Sequence, residues 1–574
     1  MTRTKRGTTS FDGEEAAAWQ RVRRYAVPRW MIEQATERRL AGDWRGACSA
    51  AGVDVAFDPA AVAKRYGGSV AAEVEDDLTY FAPDLLRWHL PRTTPWNGTL
   101  AVGRIVVLAE YRARSLGWGP SLFVTTPPVV EGTQRLTLHL GLADAKDERD
   151  AGRWRDGRAW LTSRDLWDVR RAGDLRLRAG GGERVPFFTR DGRPLAEDEL
   201  PAADPGRDHP VAHTEWVSLL HERGEVEAAL AAVGIQLDLR EPVVRGWGWG
   251  GLTRRLETLP LNLAGIERET ARLADETGER RFEIVYGYGS RVALDRAPDE
   301  GAPRVSTAQA GGIVRLPDLC WRRLPDLDLM RRGRITADRL HPLVRTALFP
   351  DLAPGEGPAG PPDPEPPAPV RVRCRGEWHL VSSGGGVLRM PHSDEERRRE
   401  RAMRAFGGAV AGCFAVREAW TSGRGWLPKD LRRQRRDLFR RVQYGDTPGV
   451  LCLLDAGADP RVRDGDLRTL LHGLASLDHE LLLPRLLEAE VDLEARDDHG
   501  RTPLMAAVYG HGKESLVRAL LAAGARTDVV DEAGWSLSDV IRWARRRDLR
   551  FLRDQVDREH PGIGRPHLVK DDED

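Results

Sequence analysis

Four places in the sequence hold residue types at spacings that chemistry uses. Gly246-Trp247-Gly248-Trp249-Gly250-Gly251 satisfies the GxGxxG pattern that lets a backbone approach a pyrophosphate. Its context does not fit: only Val243 and Val244 supply an apolar strand before it, and Trp fills two positions that should lie against the phosphates. A packed turn, or a Gly-Trp turn that presents aromatic rings to a partner or sugar, remains. His221-Glu222 opens like a zinc-protease helix but lacks the second His. Gly510-His511-Gly512-Lys513-Glu514 ends like a phosphate loop, yet has Ala507 where the first Gly is required and Glu514 where Ser or Thr would hold Mg²⁺. Cys48, Cys320, Cys374, Cys413 and Cys452 stand singly, with no CxxC pair and no His at finger spacing. Neither a disulfide framework nor a zinc site is expected from that spacing. No GxSxG occurs. The expectation is therefore no catalytic residue, no cofactor and no metal ligand.

The elements that would position any site belong to a multidomain chain. Its 574 residues suffice for two to four domains, each with its own core. The 88 basic residues include six lysines, the rest being Arg, a skew that with abundant Ala and Gly points to a GC-rich bacterial genome. Formal charge is zero, so composition favours no polyanionic partner. The most apolar run, Ala405–Val416, is short of the ~20 residues a membrane span needs. No apolar run follows the basic N-terminus, so no secretory signal and no membrane association are expected. A reducing cytoplasm is the expected location, where the Asn97-Gly98-Thr99 sequon would be inert.

Residues 353–369 carry eight prolines in seventeen positions and read as a polyproline spacer of about 50 Å. Before it, past residues 1–20 that read as disordered, lies an α+β region in two parts, 21–205 and 206–352. Gly42–Phe57 (GDWRGACSAAGVDVAF) and Gly224–Leu239 (GEVEAALAAVGIQLDL) align at an offset of 182 residues. Each reads as a Gly-acid turn, an Ala-rich helix, a Gly cap and a period-2 strand. Strand-like runs follow in both parts: Arg104–Glu110, Leu122–Thr126 and Arg135–Leu140, then Arg281–Tyr288 and Ser290–Leu294. Later come Asp165-Leu166-Trp167 and Asp318-Leu319-Cys320-Trp321. Two readings stand: an internal duplication, or the chance recurrence of an Ala-rich hairpin before Val-x-Val. Residues 370–428 read as a connector of short strands and a charged helix capped by Ser393 and Glu396, interrupted at Gly407-Gly408.

From Leu431 a period of 33 to 34 residues sets in: Thr469 to Thr502 spans 33, Gly500 to Gly534 spans 34. The clearest unit, 497–530, carries Asp497, Gly500, Thr502, Pro503 and Leu504 at its opening and Leu520, Leu521, Gly524 and Ala525 at its close. Pro503 at a helix start loses nothing, because that N–H has no intrahelical partner. Gly524 ends a helix where a positive φ is needed. The unit 464–496 keeps Thr469, Leu470, Leu471 and His472 but has Leu467 and Glu490 where Gly belongs. Units 431–463 and 531–558 are the less complete ends, within a stack spanning 429–560 before the acidic tail 561–574. The pattern resembles the ankyrin repeat family over roughly 130 residues, which implies an all-α solenoid that recognises proteins.

In that family, binding uses the hairpin tips and the first helix of each repeat. Mapped through this register, the resemblance implies partner contacts at Asp466, Arg468, Asp498, His499, Arg501, Tyr509, Glu532 and Trp535. Trp535 has a competing role in packing over the end of the last repeat. The end helices are basic: 429–441 and 542–553 each carry a net charge of +5. Solvated end faces are one reading and a nucleic-acid or acidic docking site another. The leading expectation is a bacterial adaptor or regulator acting through protein–protein contacts. The alternatives are an enzyme in residues 20–352 served by the stack, and nucleic-acid binding through the two basic helices.

Overall fold

The computed structural model describes the whole chain except residues 1–12, 94–96, 113–118, 142–156, 239–251, 287–289, 297–301, 308–313, 363–367, 407–410 and 566–574. The Gly-Trp segment 246–251 and Gly407-Gly408 lie outside the described residues. Two compact units form, the first from Met1–Thr126 with Arg135–Gly360, the second from Pro127–Gln134 with Pro361–Asp574. No helix among the described residues is long and apolar enough to cross a membrane.

The first unit contains both helices and sheets. Helix Arg29–Leu40 turns at Gly42 (φ +75°) into helix Trp44–Ala50, whose first turn is capped by Asp43 accepting from Gly46 N at 2.8 Å. The chain then enters β1, Val53–Val55. Strands β2 (Ile105–Glu110), β3 (Ser121–Thr125) and β4 (Leu136–Gly141) make an antiparallel meander. β1 joins its last strand in parallel, giving the order β1-β4-β3-β2.

Further along, helices Pro210–Glu222 and Val226–Ala232 lead into β5, Gln236–Leu237. β6 (Arg281–Tyr286), β7 (Ser290–Asp295) and β8 (Arg304–Thr307) form a second antiparallel meander. β5 joins its last strand in parallel, and β9 (Val314–Arg315) pairs with β6, giving β5-β8-β7-β6-β9. The short strands β8 and β9 were not legible beforehand, because two to four residues are too few to show a period. Fine detail recurs as well. Ala56 N donates to Leu138 O at 2.9 Å, as Asp238 N donates to Val305 O at 2.8 Å. Ala82 N donates to Trp167 O at 2.8 Å, as Asn262 N donates to Trp321 O at 2.7 Å.

Ionised pairs run through this unit's interior. Arg23 bonds Asp326 through Nε and Nη2 at 2.6 and 2.8 Å, with Trp88 O at 2.7 Å from Nη1. Arg178 bonds Asp165 at 2.7 and 2.8 Å and Glu269 at 2.9 Å, all three nearly inaccessible. Burial pulls the Arg178 guanidinium toward losing its proton, but the two carboxylates outweigh it and hold the charge.

The Pro-rich stretch is not a free spacer throughout. Gly357, Pro358 and Gly360 are buried within the first unit, where Gly357 N donates to Asp338 O at 3.2 Å and Gly360 O accepts from Arg24 Nε at 3.2 Å. A proline-rich chain keeps its carbonyls available as acceptors, and here neighbouring donors use them.

In the second unit β10 (Val370–Cys374), β11 (Glu377–Gly384) and β12 (Val387–Arg389) form an antiparallel sheet, followed by helices Asp394–Ala405 and Gly412–Ser422. Four helix pairs come next. They are Lys429–Tyr444 with Thr447–Asp455, the 3-10 turn Leu470–Ser476 with His479–Glu488, Pro503–Tyr509 with Glu514–Ala522, and Leu537–Trp543 with Arg550–Glu559. Leu470, Leu504, Leu516, Val517, Leu520 and Leu537 fill one continuous apolar seam, with Leu521 half-buried at its margin. The first helix of the 464–496 unit is the exception to the α pattern, being wound as 3-10.

Candidate protein-interaction surface

Each of the last three repeats opens on a buried aspartate that builds its tip. Asp464, Asp497 and Asp531 accept, through Oδ1, the backbone N–H of the residue four further on: Arg468 at 2.8 Å, Arg501 at 2.8 Å and Trp535 at 2.9 Å. The backbone answers in the other direction, with each aspartate's N–H donating to the same residue's carbonyl at 3.0 Å. Neighbouring tips join through Asp498 N to Asp466 O at 3.0 Å and Glu532 N to His499 O at 2.8 Å. The turn needs a positive φ at its centre, taken by Leu467 (φ +62°), Gly500 (+75°) and Gly534 (+78°). The helix-ending position likewise takes Gly457 (+92°), Glu490 (+54°) and Gly524 (+94°). Leu467 and Glu490 thus adopt the conformation that glycine adopts in the other units, at the steric cost of a Cβ.

His472 ties two repeats together. Thr469 N donates to its Nδ1 at 3.1 Å, which leaves Nε2 carrying the proton toward Arg501 O at 3.1 Å. Burial lowers the imidazole's pKa to about 4.

An ankyrin-repeat family description, three copies, matches residues 438–531. These are ankyrin repeats. Ankyrin repeats are in general protein–protein interaction modules. The chain is also similar to the Arabidopsis thaliana potassium channel SKOR, 39% identical over 79 residues. That match covers 14% of this chain and 9% of the channel's length.

The eight expected contact residues fall into two groups. Asp466, Asp498, His499 and Glu532 are exposed at the tips, with His499 Nδ1 2.7 Å from Asp498 Oδ1. Asp497, Asp498 and His499 lie close enough to share an ion, but Asp497 is already committed to the N–H groups of His499 and Arg501. Arg468 is held by Asp464 at 3.0 Å, by Asp466, and by Glu131 at 3.2 Å. Arg501, Tyr509 and Trp535 are brought together. The Arg501 guanidinium lies 4.1 Å from the Tyr509 ring centroid, and the Tyr509 hydroxyl donates to Asp531 at 3.1 Å. Burial, with Asp531 adding to it, pushes that phenol up to about 12.

The register did not nominate Trp543. Its ring lies 6.1 Å from Tyr509 and 6.0 Å edge-on from Trp535, and it is 55% exposed. The signal was available: Trp543 stands one 34-residue period beyond Tyr509, both closing a first helix. One period before, Ser476 occupies that place. There, Pro127–Gln134, part of this same unit, lies along the ledge: Thr133 N donates to Gly510 O at 3.1 Å and Ser476 Oγ donates to Gly132 O. A Cβ at Gly132 would come within 2.3 Å of Gly510 O, so glycine is what lets the two backbones meet.

Three cations of the basic end helices are paired internally, while Lys429, Arg432, Arg433 and Arg436 are exposed. Arg441 is buried against Asp437 and Asp446 at 3.1 and 2.9 Å. Arg546 is buried against Asp548 and donates to Gly512 O at 2.7 Å. Arg542 pairs with Asp557 at 2.6 Å.

The remaining sequence candidates are structural. His221 is buried, its Nε2 2.9 Å from Leu256 O, and Glu222 takes Arg331 at 2.6 and 3.0 Å. Gly510–Glu514 is the turn between the two helices of one repeat. An open cleft of about 940 Å³ in the first unit is lined by Arg164, Asp165, Arg178, Glu269 and Arg272 among others. Its deepest charges are those that satisfy one another, Arg178 with Asp165 and Glu269.

One side-chain cluster bears on the expectation of no metal ligands. Cys374, His379, His392 and Cys413 converge within 4.8 Å of one another in the connector. Finger spacing did not single them out because they sit on a hairpin, a loop and a helix start rather than in paired motifs.

Proposed function

We propose that this chain is an adaptor or regulator whose ankyrin stack takes a protein partner along the ledge formed by the repeat tips and the ends of the first helices. The carrying observation is the aromatic cluster Tyr509, Trp535 and Trp543, flanked by Arg501, with Trp543 left 55% exposed. Trp, Tyr and Arg anchor interfaces because they give large contact area for few lost rotamers. Pro127–Gln134 adds a second support, since its backbone is accommodated on the same ledge one repeat earlier. Asp466, Arg468, Asp498, His499 and Glu532 would form the polar rim. Internal pairing of Arg441, Arg542 and Arg546 weighs against nucleic acid as the partner. The mutual pairing in the first unit's cleft favours binding over chemistry there. A cytoplasmic, bacterial setting fits the composition.

The matching strand orders β1-β4-β3-β2 and β5-β8-β7-β6 support an internal duplication in the first unit, with boundaries near 21–205 and 206–352. The duplicated part would be the cargo-bearing or signalling half served by the stack.

The test pairs Arg501→Ala with Trp543→Ala in the full chain, used as bait beside the parent. Trp543 is mostly exposed and Arg501 half-buried over Tyr509, so the variant is checked for a retained cooperative melt before use, an expected cost of about 1 kcal/mol leaving it folded. Partners recovered by the parent should bind the variant at least tenfold more weakly, as expected for loss of about 2 kcal/mol at an interface anchor. A folded variant that retains every partner at parental affinity would place recognition elsewhere.

A further inference from the structure

We propose that Cys374, His379, His392 and Cys413 form a structural zinc site that pins the sheet β10–β12 to helix Gly412–Ser422. All four candidate ligand atoms lie within 4.8 Å of one another, and three of their separations are close to tetrahedral edges. With Zn–S near 2.3 Å and Zn–N near 2.05 Å, tetrahedral edges are about 3.4 Å between nitrogens and about 3.6 Å between nitrogen and sulfur. Here His379 Nδ1 lies 3.1 Å from His392 Nε2. Cys374 Sγ lies 3.6 Å from His392 Nε2, and Cys413 Sγ lies 3.6 Å from His379 Nδ1. Soft thiolates with borderline imidazoles at these distances select zinc over the hard divalent cations.

The surroundings hold each ligand for this task. Cys374 and His379 flank the tight β10–β11 turn, where Arg375 (φ +52°) and Gly376 (φ +91°) reverse the chain and Cys374 pairs with Glu377. His392 follows β12, its N–H donating to Met390 O at 2.8 Å. Cys413 lies in the first turn of an eleven-residue helix, where the helix dipole favours a thiolate. The residue before it, Gly412 (φ +59°), sits so close to Cys374 that a Cβ would meet Sγ at 2.6 Å.

Each histidine offers one nitrogen to the centre and turns the other toward a carboxylate. His392 Nδ1 is 3.5 Å from Glu396 Oε2, and His379 Nε2 is 3.8 Å from Glu377 Oε2. Such outer carboxylates fix the orientation of zinc-bound imidazoles and raise their basicity. Cys374 and Cys413 are almost inaccessible, and Phe414 covers His392 with ring centroids 4.6 Å apart. Four protein ligands leave no open position, so the centre is structural rather than catalytic. Two thiolates balance the charge of Zn²⁺, which lets the site be buried. The location explains its use: β10–β12 is a small sheet with few residues of its own in the core, and small scaffolds draw stability from such a staple.

The experiment uses the full chain, purified under reducing conditions without chelator and with Zn²⁺ in the growth medium. Elemental analysis should find one zinc per chain. Replacement by Co²⁺ should give the visible absorption of a tetrahedral centre together with thiolate charge transfer in the near ultraviolet. Cys374→Ser with Cys413→Ser should lower the zinc content at least tenfold, while Cys452→Ser should leave it at one. Because the double variant risks misfolding, mercurial titration of the folded parent provides a second arm, releasing zinc as thiols are modified. Glu396→Gln should retain zinc but weaken its affinity about 10–100-fold in competition with a chelating dye. Zinc retained by the double variant, a metal-free parent after reconstitution, or a Cys374–Cys413 disulfide in the native protein would each overturn the proposal.

Discussion

The two units weight apolar packing and buried ion pairs differently in their interiors. In the ankyrin stack the interior is a seam of Leu and Val, and polar bonds sit at the tips, repeating every 33 to 34 residues between sequence neighbours. In the first unit an apolar core is threaded with buried Arg–carboxylate pairs, Arg23 with Asp326 and Arg178 with Asp165 and Glu269. A leucine seam tolerates sliding and substitution, because dispersion and apolar burial are non-directional. A buried charge tolerates neither, since its partner is the only thing that offsets its desolvation. The stack therefore gains stability additively along its length, while the first unit gains a fixed arrangement of distant segments.

The sharpest way to break this contrast is to remove one charge. Arg178→Leu leaves Asp165 and Glu269 buried without their cation, and should cost about 3–5 kcal/mol in denaturant unfolding of the first unit. Replacing all three with apolar residues of similar volume should restore much of that loss. An Arg178→Leu protein as stable as the parent would mean that the first unit, too, rests on apolar packing alone.

A gentler contrast comes from pH, through the stack's His472. Its folded pKa of about 4 lies below the ordinary value near 6.5, so the unfolded state binds more protons between those values. The stability of neutral His472 is fully present above pH 6.5 and is lost as pH falls toward 4, by about 1.4 kcal/mol per pH unit at most. Asp464, raised by burial, works in the opposite direction, so the histidine's share is isolated by comparing the parent with His472→Gln across that range. Equal slopes for the two proteins would show that His472 is not held neutral.

The smallest effect is a gain. Glu490 is exposed and holds φ +54° where the other repeats use glycine, so Glu490→Gly should stabilise the stack by about 0.5–1 kcal/mol. A loss on thermal melting would show that the glutamate side chain contributes more than its backbone costs.

By itself the sequence determined the repeat stack: its period, its Thr502–Pro503 helix start, and the two positions, Leu467 and Glu490, where a glycine conformation lacks its glycine. That information is local, because each ankyrin repeat bonds to the next in the chain and the same residue types must recur at the same offsets. Only the tertiary structure decided that Trp543 joins Tyr509 and Trp535, that Arg178 meets Glu269, and that Cys374, His379, His392 and Cys413 share one point. Arg178 and Glu269, like the four Cys and His side chains, lie on separate elements with no fixed offset between them, whereas for Trp543 the period gave the place on its helix and packing gave the contact. Arg23 and Asp326 are 303 residues apart, and no periodicity or propensity along the chain carries information over that distance. The convergence of Cys374, His379, His392 and Cys413 was invisible for the same reason. They stand on a hairpin, a loop and a helix start, and they meet only where Gly412 brings the backbone against Cys374.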